Sequence, residues 1–242
     1  MRLDKALCQS GERTRSEATR LVREGRVTVD SAVEKSGARK VDMQAQRVCL
    51  DGRPVTDAAL QYVMLCKPAG VLTAARDHHA KTVMDLMPAA LARRDVLPVG
   101  RLDKDTTGLL LLSNDGALAH ALLSPKRHVE KEYLATVDGP LTEEDAEAFA
   151  LGMALSDFTA KPARLVIEQT GEAQSVARVF LSEGKFHQVK RMFTSRGRTV
   201  TALRRLSFGS LRLDDALADG EFRFLTEEEI ESLRQDAKGR TT

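Results

Sequence analysis

The chain has 242 residues, 42% of them hydrophobic and 30% charged, enough to bury an ordinary core as one large domain or as a small domain joined to a larger one. Its net charge of +2 does not announce a nucleic-acid partner, so the placement of the basic residues has to decide. Cys8, Cys49 and Cys66 form no C-x-x-C pair and share no short spacing with a histidine, which favours reduced thiols in a cytoplasmic protein over a disulfide framework or a thiolate metal site. The first residues carry no apolar leader core and no segment approaches the ~18 apolar residues of a membrane span, so neither export nor a bilayer anchor is expected.

Residues 1–58 read as a separate front module. In "RLDKALCQSG" the apolar residues Leu3, Ala6 and Leu7 fall at helical spacing, and Gly11 is placed to end the turn. Thr14 then precedes Glu17 by three residues, the pattern of a capping box, and Ala18, Leu21 and Val22 mark one apolar face before Gly25. Residues 26–30 alternate like a strand, and "VCLDGRPV" supplies a second β-rich stretch. "TDAALQ" reads as a short linker. The helix leaves Arg13, Arg15, Arg20, Arg23 and Arg26 against only Glu17 and Glu24, a surface positive enough to meet phosphates, although such arginine runs are often no more than a solvated face. The order helix, turn, second helix, "REGRVTVD" resembles the S4 RNA-binding module, which implies RNA contact by these arginines.

From residue 59 to 242 short strand-like runs alternate with helices and turns, which predicts an α+β fold with a mixed, mainly antiparallel sheet flanked by helices. Residues 62–66 are a strand broken by Lys67-Pro68-Ala69-Gly70, and "TVMDLMP" is a short helix stopped by Pro88. "GLLLLSNDG" is a buried strand and "ALAHALLSP" a helix ended by Pro125. "EKEYLATVDG" and "SVARVFLSEG" are strands, and "LTEEDAEAFALG" is a helix capped by Thr142. "KFHQVKRMFTSRG" is helical, with Val189, Met192 and Phe193 on one face and Gly197 at its end. "LTEEEIESL" is a terminal helix capped by Thr226.

Two stretches call for chemistry. In "GRLDKDTTGLLLLSNDG" the carboxylates Asp103 and Asp105 stand at the mouth of an apolar strand, where a carboxylate costs free energy unless it is hydrogen-bonded or paired. Read alone, this is a turn in which Asp103 or Asp105 caps backbone amides with help from Thr106 or Thr107. Alternate residues of an extended strand lie roughly 6.6 Å apart, near the separation of an inverting glycosidase pair. A chain with no Trp and 4% aromatic residues lacks the platforms that sugar clefts use, which argues against that chemistry. Residues 185–212 carry eight basic residues, Lys185 and Arg212 among them, and no acidic one, so the near-neutral total hides a basic block. The histidines show no ligand spacing with the cysteines or with one another, so no metal site and no cofactor is expected.

The same "GRLDKDTTGLLLLSNDG" resembles the catalytic motif of the RsuA/RluB/E/F pseudouridine synthases. "EKEYLATV" and "EGKFHQVKRMF" resemble that family's second and third motifs in the same order, and "KPAGVLT" and the S4-like module also fit, so the resemblance covers nearly the whole chain. It implies conversion of uridine to pseudouridine in ribosomal RNA, with Asp103 as the essential aspartate acting either as a nucleophile or as a proton acceptor in a glycal route. It further implies Tyr133 stacked on the target base and Lys190 paired with the aspartate in a water-excluding pocket. Arg101, Lys104, Lys131 and Arg191 are implied as further RNA contacts. Within the family the wording is most like the small-subunit, RsuA-type members. This implies a 16S rRNA uridine (uridine 516 type), reached in free rRNA or in a small-subunit assembly intermediate by a cytoplasmic monomer. The alternatives are a 23S rRNA synthase of the same family and a non-catalytic S4-type assembly factor.

Overall fold

In a computed structural model, residues 1–8, 14–43, 45–55 and 60–239 are described. Arg13, Gly11, most of "TDAALQ" and the expected boundary after residue 58 lie outside them. The chain divides into two compact units, Met1–Gln61 with Met87–Leu97, and Tyr62–Leu86 with Pro98–Thr242. The stretch Met87–Leu97, which the sequence reading assigned to the larger domain, therefore groups with the front unit. It carries the short helix α3 described below.

The first unit sets helices α1 (Leu3–Cys8) and α2 (Arg15–Arg23) with a small antiparallel sheet of β1 (Val27–Val29), β2 (Ala32–Val33), β3 (Val48–Leu50) and β4 (Arg53–Pro54), in the order β2-β1-β3-β4. Leu3, Ala6 and Leu7 of α1, Ala18, Leu21 and Val22 of α2, and Val27, Val29, Val48 and Leu50 share one core. The capping box forms: Glu17 N–H donates to Thr14 Oγ1 at 3.3 Å and Thr14 N–H to Glu17 Oε2 at 2.7 Å. Gly25 takes the left-handed turn at φ 74° that ends α2.

The second unit begins with β5 (Tyr62–Lys67) and a 3₁₀ turn at Val83–Leu86 that stops short of Pro88. After α3 (Ala89–Arg93) in the first unit, the chain returns through β6 (Leu97–Pro98). There follow β7 (Thr107–Ser113), α4 (Gly116–Leu123), β8 (Lys131–Asp138), α5 (Glu143–Leu151), a small hairpin of β9 (Met153–Ala154) and β10 (Thr159–Ala160), β11 (Arg164–Gln169) and β12 (Gln174–Leu181). Then come α6 (Gln188–Ser195), β13 (Val200–Phe208), β14 (Leu211–Arg212), β15 (Phe222–Phe224) and α7 (Glu227–Lys238). The main sheet runs β11-β12-β8-β13-β7-β5-β15 and is antiparallel except where β13 pairs with β7 in parallel. Among the described residues no helix is long and apolar enough to cross a membrane.

Leu109, Leu110, Leu111 and Leu112 of β7 are all fully buried, so both faces of this central strand are covered, as an unbroken apolar run requires. Leu109 and Leu111 share a core with Leu118 and Leu122 of α4, Phe208 of β13, and Ile230 and Leu233 of α7. Helices α5 and α6 meet through Phe149 and Phe193, ring centroids 4.9 Å apart. The long strand β13 was not anticipated. Its alternation is sound, but Arg205 occupies an inward position that the pattern reserves for an apolar residue, and so the stretch reads only as positive charge.

Where β13 meets β7 the backbones touch at Gly108, whose φ is 94° and where a Cβ would lie 2.3 Å from the Arg205 carbonyl oxygen. Neither the torsion nor the space admits another residue. Gly108→Ala is therefore expected to lower unfolding free energy by about 3 kcal/mol or more, measured by denaturant melts, whereas Gly70→Ala, with open space around its Cβ position, loses less.

Candidate active site

Asp103 lies in the loop that leads into β7, and the loop is fastened on both sides of it. Ahead of it, Thr73 Oγ1 donates to the Leu102 carbonyl at 2.8 Å and accepts from the Leu102 N–H at 3.2 Å. Behind it, the fully buried ammonium of Lys67 donates to the carbonyls of Lys104 at 3.1 Å, Thr106 at 2.8 Å and Pro68 at 2.9 Å. Gly70 N–H adds a second bond to the Lys104 carbonyl at 2.8 Å, and Thr106 N–H closes the turn on the Asp103 carbonyl at 3.2 Å. "KPAGVLT" is thus the brace of the acidic loop. Sequence reading treated Lys67 as the break that ends a strand and gave it no role.

The loop presents Asp103 to a small pocket of about 70 Å³, whose wall includes Leu102, Thr106, Tyr133, Leu181, Val189 and Leu203, with Arg101, Lys185 and His187 also bordering it. Tyr133, on β8, is buried to 8% exposure, and its hydroxyl has no hydrogen-bond partner among the described residues. The Asp103 side chain is 26% exposed. Its carboxylate lies 3.6 Å from Lys190 Nζ and 3.6 Å from His187 Nε2. Both are close enough for attraction and too far for a hydrogen bond.

Lys190 gives its hydrogen bond to Asp105 instead, at 2.5 Å. The sequence reading paired Lys190 with Asp103 alone. The structure sets it between two carboxylates with Asp105 the nearer, and that bond holds the Asp105 carboxyl below its ordinary range. The helix carrying Lys190 starts at Gln188 and not at residue 185, because His187 adopts a left-handed conformation at φ 51°. Gln188 Oε1 takes the Lys185 N–H at 3.0 Å, and the turn brings His187 to the pocket, with its ring stacked on exposed Phe186 at 3.8 Å.

The remaining residues expected to touch RNA are dispersed. Arg101 borders the pocket and Lys104 is exposed in the acidic loop. Lys131, at the start of β8, donates to the Val129 carbonyl at 2.7 Å and borders a different cavity. Arg191 is committed to Asp157 and to Ser156 Oγ. In the first unit Arg15, Arg20 and Arg26 pair with Asp4, Glu24 and Asp51 at 3.5, 3.5 and 2.6 Å yet stay largely exposed, and Arg23 is exposed as well. Thr106 was seen only as a helper in the turn. Its Oγ1 is buried without a partner in the pocket wall, a polar atom for which no sequence signal exists. Among the described residues no group of three or more His, Cys, Asp or Glu is placed to hold a metal ion. The chemistry on offer is that of an ionisable carboxylate with free lone pairs, a tyrosine face and nearby positive charge in a partly dry pocket.

Residues 61–195 match the family model described as RNA pseudouridylate synthase, and residues 1–44 match the S4 domain. The chain is 42% identical to a Bacillus subtilis (strain 168) protein described as an uncharacterized RNA pseudouridine synthase, YtzG, over 97% of this chain and 99% of that one. It is 41% identical to ribosomal small subunit pseudouridine synthase A of Pasteurella multocida (strain Pm70), over 97% of this chain and 100% of that one. A crystal structure of a pseudouridylate synthase superposes with a TM-score of 0.69 at 37% identity, covering 96% of this chain and 99% of the other. Fold, site and likeness together define an RNA-modifying enzyme with an S4 domain in front of a synthase domain. The chain belongs to the RNA pseudouridylate synthase family.

Lys67 makes the brace testable by pH. Burial lowers its ammonium from the ordinary 10.5 to about 8. Below pH 8 the buried charge therefore costs folding stability. That cost is relieved as pH rises from about 8 towards 10.5, where the unfolded chain binds the extra proton. Activity runs the other way, because a neutral amine has two N–H groups for three carbonyls. The expected outcome is a kcat that falls as pH climbs through about 8 while thermal stability does not, and a Lys67→Met variant with kcat reduced roughly 10–100-fold and RNA affinity within about twofold of wild type.

Proposed function

We propose that this chain converts a uridine of small-subunit ribosomal RNA to pseudouridine, with Asp103, Tyr133 and Lys190 as the catalytic set. The observation that carries the reading is the Asp103 carboxylate, which shares one small pocket with Tyr133 and is flanked at 3.6 Å by Lys190 without being hydrogen-bonded to it. The relatives named ribosomal small subunit pseudouridine synthase A, at 37–42% identity over 96–97% of this chain, support the choice of RNA. The 16S uridine 516 position is the finer form of the same proposal.

In the reaction the bond from the ribose C1′ to N1 of uracil breaks, the base turns, and C1′ joins C5. C5 loses a proton and N1 gains one, with no redox change and no water consumed. Both routes open to Asp103, nucleophilic attack or proton removal from the sugar, begin from its anion. Lys190 Nζ stands 3.6 Å from the carboxylate, and its hydrogen bond to Asp105 leaves the Asp103 lone pairs free. The Tyr133 ring offers a π face to a base taken out of its stack. Arg101 and Lys104 stand where flanking RNA would pass. In the front domain, which we place at residues 1–58, Arg13, Arg15, Arg20, Arg23 and Arg26 supply sequence-independent attraction to phosphates. The enzyme would act as a cytoplasmic monomer on rRNA or on a small-subunit assembly intermediate.

Asp103→Asn is expected to abolish product formation, a loss of at least about 10³-fold, while RNA affinity stays within about twofold; retained isomerisation would refute the assignment. Carbodiimide primer extension on rRNA from a strain lacking the gene is expected to show one pseudouridine missing from 16S rRNA. A mark missing from 23S rRNA with 16S rRNA intact would instead assign the enzyme to the large subunit.

A further inference from the structure

A second cavity adjoins the pocket that holds Asp103. Its volume is about 440 Å³, and the two share Gly184 and Lys185 as common wall. That size falls within the range of about 300–1,000 Å³ of sites that enclose small molecules, whereas the Asp103 pocket is far smaller. The larger cavity is bordered by Lys131, Lys161 and Lys185 together with the hydroxyl residues Ser124, Thr159 and Ser182. One carboxylate also borders it, Glu183, and that group is engaged: its Oε1 accepts the Lys161 N–H at 2.9 Å and Gln188 Nε2 at 2.6 Å.

What distinguishes these lysines is the lack of a counter-charge. Most neighbouring basic residues of α6, its C-cap and β13 are matched to an acid, Lys190 to Asp105, Arg191 to Asp157, Arg196 to Asp145 and Arg204 to Asp219. Among the described residues no carboxylate lies within ion-pair distance of Lys131, Lys161 or Lys185. Lys131 is the most constrained of them. Its ammonium lies 5.3 Å from the centre of the Phe208 ring, over which the Arg205 guanidinium is also placed at 5.3 Å, and Arg205 Nη2 is itself buried with no hydrogen-bond partner. Burial, and then the like charge of Arg205, lower the Lys131 ammonium to about 8, with Glu183 the opposing influence. A cation that borders a cavity and is crowded by a like charge is stabilised by an anion that enters the cavity.

We propose that this cavity binds a phosphodiester of the RNA strand adjacent to the target nucleotide, through Lys131, Lys161 and Lys185. The site fixes the strand beside the Asp103 pocket across the shared Gly184–Lys185 wall. The inference rests on the proposed RNA substrate but not on which ribosomal RNA is modified. Lys161 and Lys185 are exposed, so reversing their charge leaves the core intact.

The test is tritium release from a small-subunit rRNA transcript labelled at uridine C5, with Lys161→Glu, Lys185→Glu and the charge-keeping Lys161→Arg. Each reversal is expected to raise KM about tenfold and flatten the slope of log KM against log salt by about one, with kcat of Lys161→Glu within about twofold of wild type and Lys161→Arg close to wild type throughout. Unchanged KM and salt slope in both reversals would overturn the site. A second measurement does not depend on turnover: crystals of the full chain soaked with the dinucleotide pUpU. A phosphate seated within hydrogen-bond reach of Lys131, Lys161 or Lys185 supports the proposal. Phosphate found only elsewhere, or inorganic phosphate bound there as tightly as pUpU, refutes it. Failure of the wild-type enzyme to release tritium from this transcript would count against the small-subunit assignment, and the soak would still decide the phosphodiester site.

Discussion

The site depends on one buried ammonium. Lys67 ends an apolar strand with its charge inside the protein, where a cation survives only if its donors are satisfied. Three carbonyls satisfy them, and two belong to the residues that follow Asp103 on the chain. With Thr73 holding both polar groups of Leu102 on the other side, the backbone around Asp103 has little freedom. A carboxylate that must meet one atom of a substrate gains from such bracing, because misplacement of about 1 Å can cost two orders of magnitude in rate. The braced loop rests on β7, which is locked against β13 by the absence of a side chain at Gly108.

Charge is distributed by a second rule. The basic block at residues 185–212 looks like a surface for phosphates, but folding gives most of its members internal partners. Arg196 meets Asp145 of α5, Arg204 meets Asp219, and Arg212 reaches Glu132 of β8. Exposed pairs of this kind contribute little stability, yet they cancel field locally, so positive potential concentrates where lysines have no acid beside them. A one-dimensional count of charges cannot show this, since the acids that neutralise the block come from strands and loops far away in the chain.

The elements easiest to read were those whose signals are local. The capping box at Thr14, the helix caps at Thr142 and Thr226, the four-leucine strand and the apolar face of α6 follow from side-chain spacing alone. Strand β13 escaped because a buried arginine stands in its inward row, its Nε donating to the Leu109 carbonyl at 2.8 Å, a contact that exists only after β7 has docked. The site divides in the same way. Asp103, Tyr133 and Arg101 line one pocket, while Lys67 and Thr73 act through carbonyl and amide groups that carry no side-chain signature.

The two carboxylates that stand two residues apart at the mouth of β7 divide one task between them. A lysine hydrogen-bonded directly to Asp103 would stabilise its anion, but it would also occupy a lone pair that either route to pseudouridine requires. Asp105 resolves the conflict by taking the hydrogen bond itself, being 72% exposed and so inexpensive to keep ionised. Lys190 is thereby anchored 3.6 Å from Asp103, where attraction persists and donation does not. His187, held at an equal distance by its left-handed turn, approaches the other carboxylate oxygen. Asp105 therefore acts as the positioning group for the cation and leaves the Asp103 lone pairs open, as either proposed route requires.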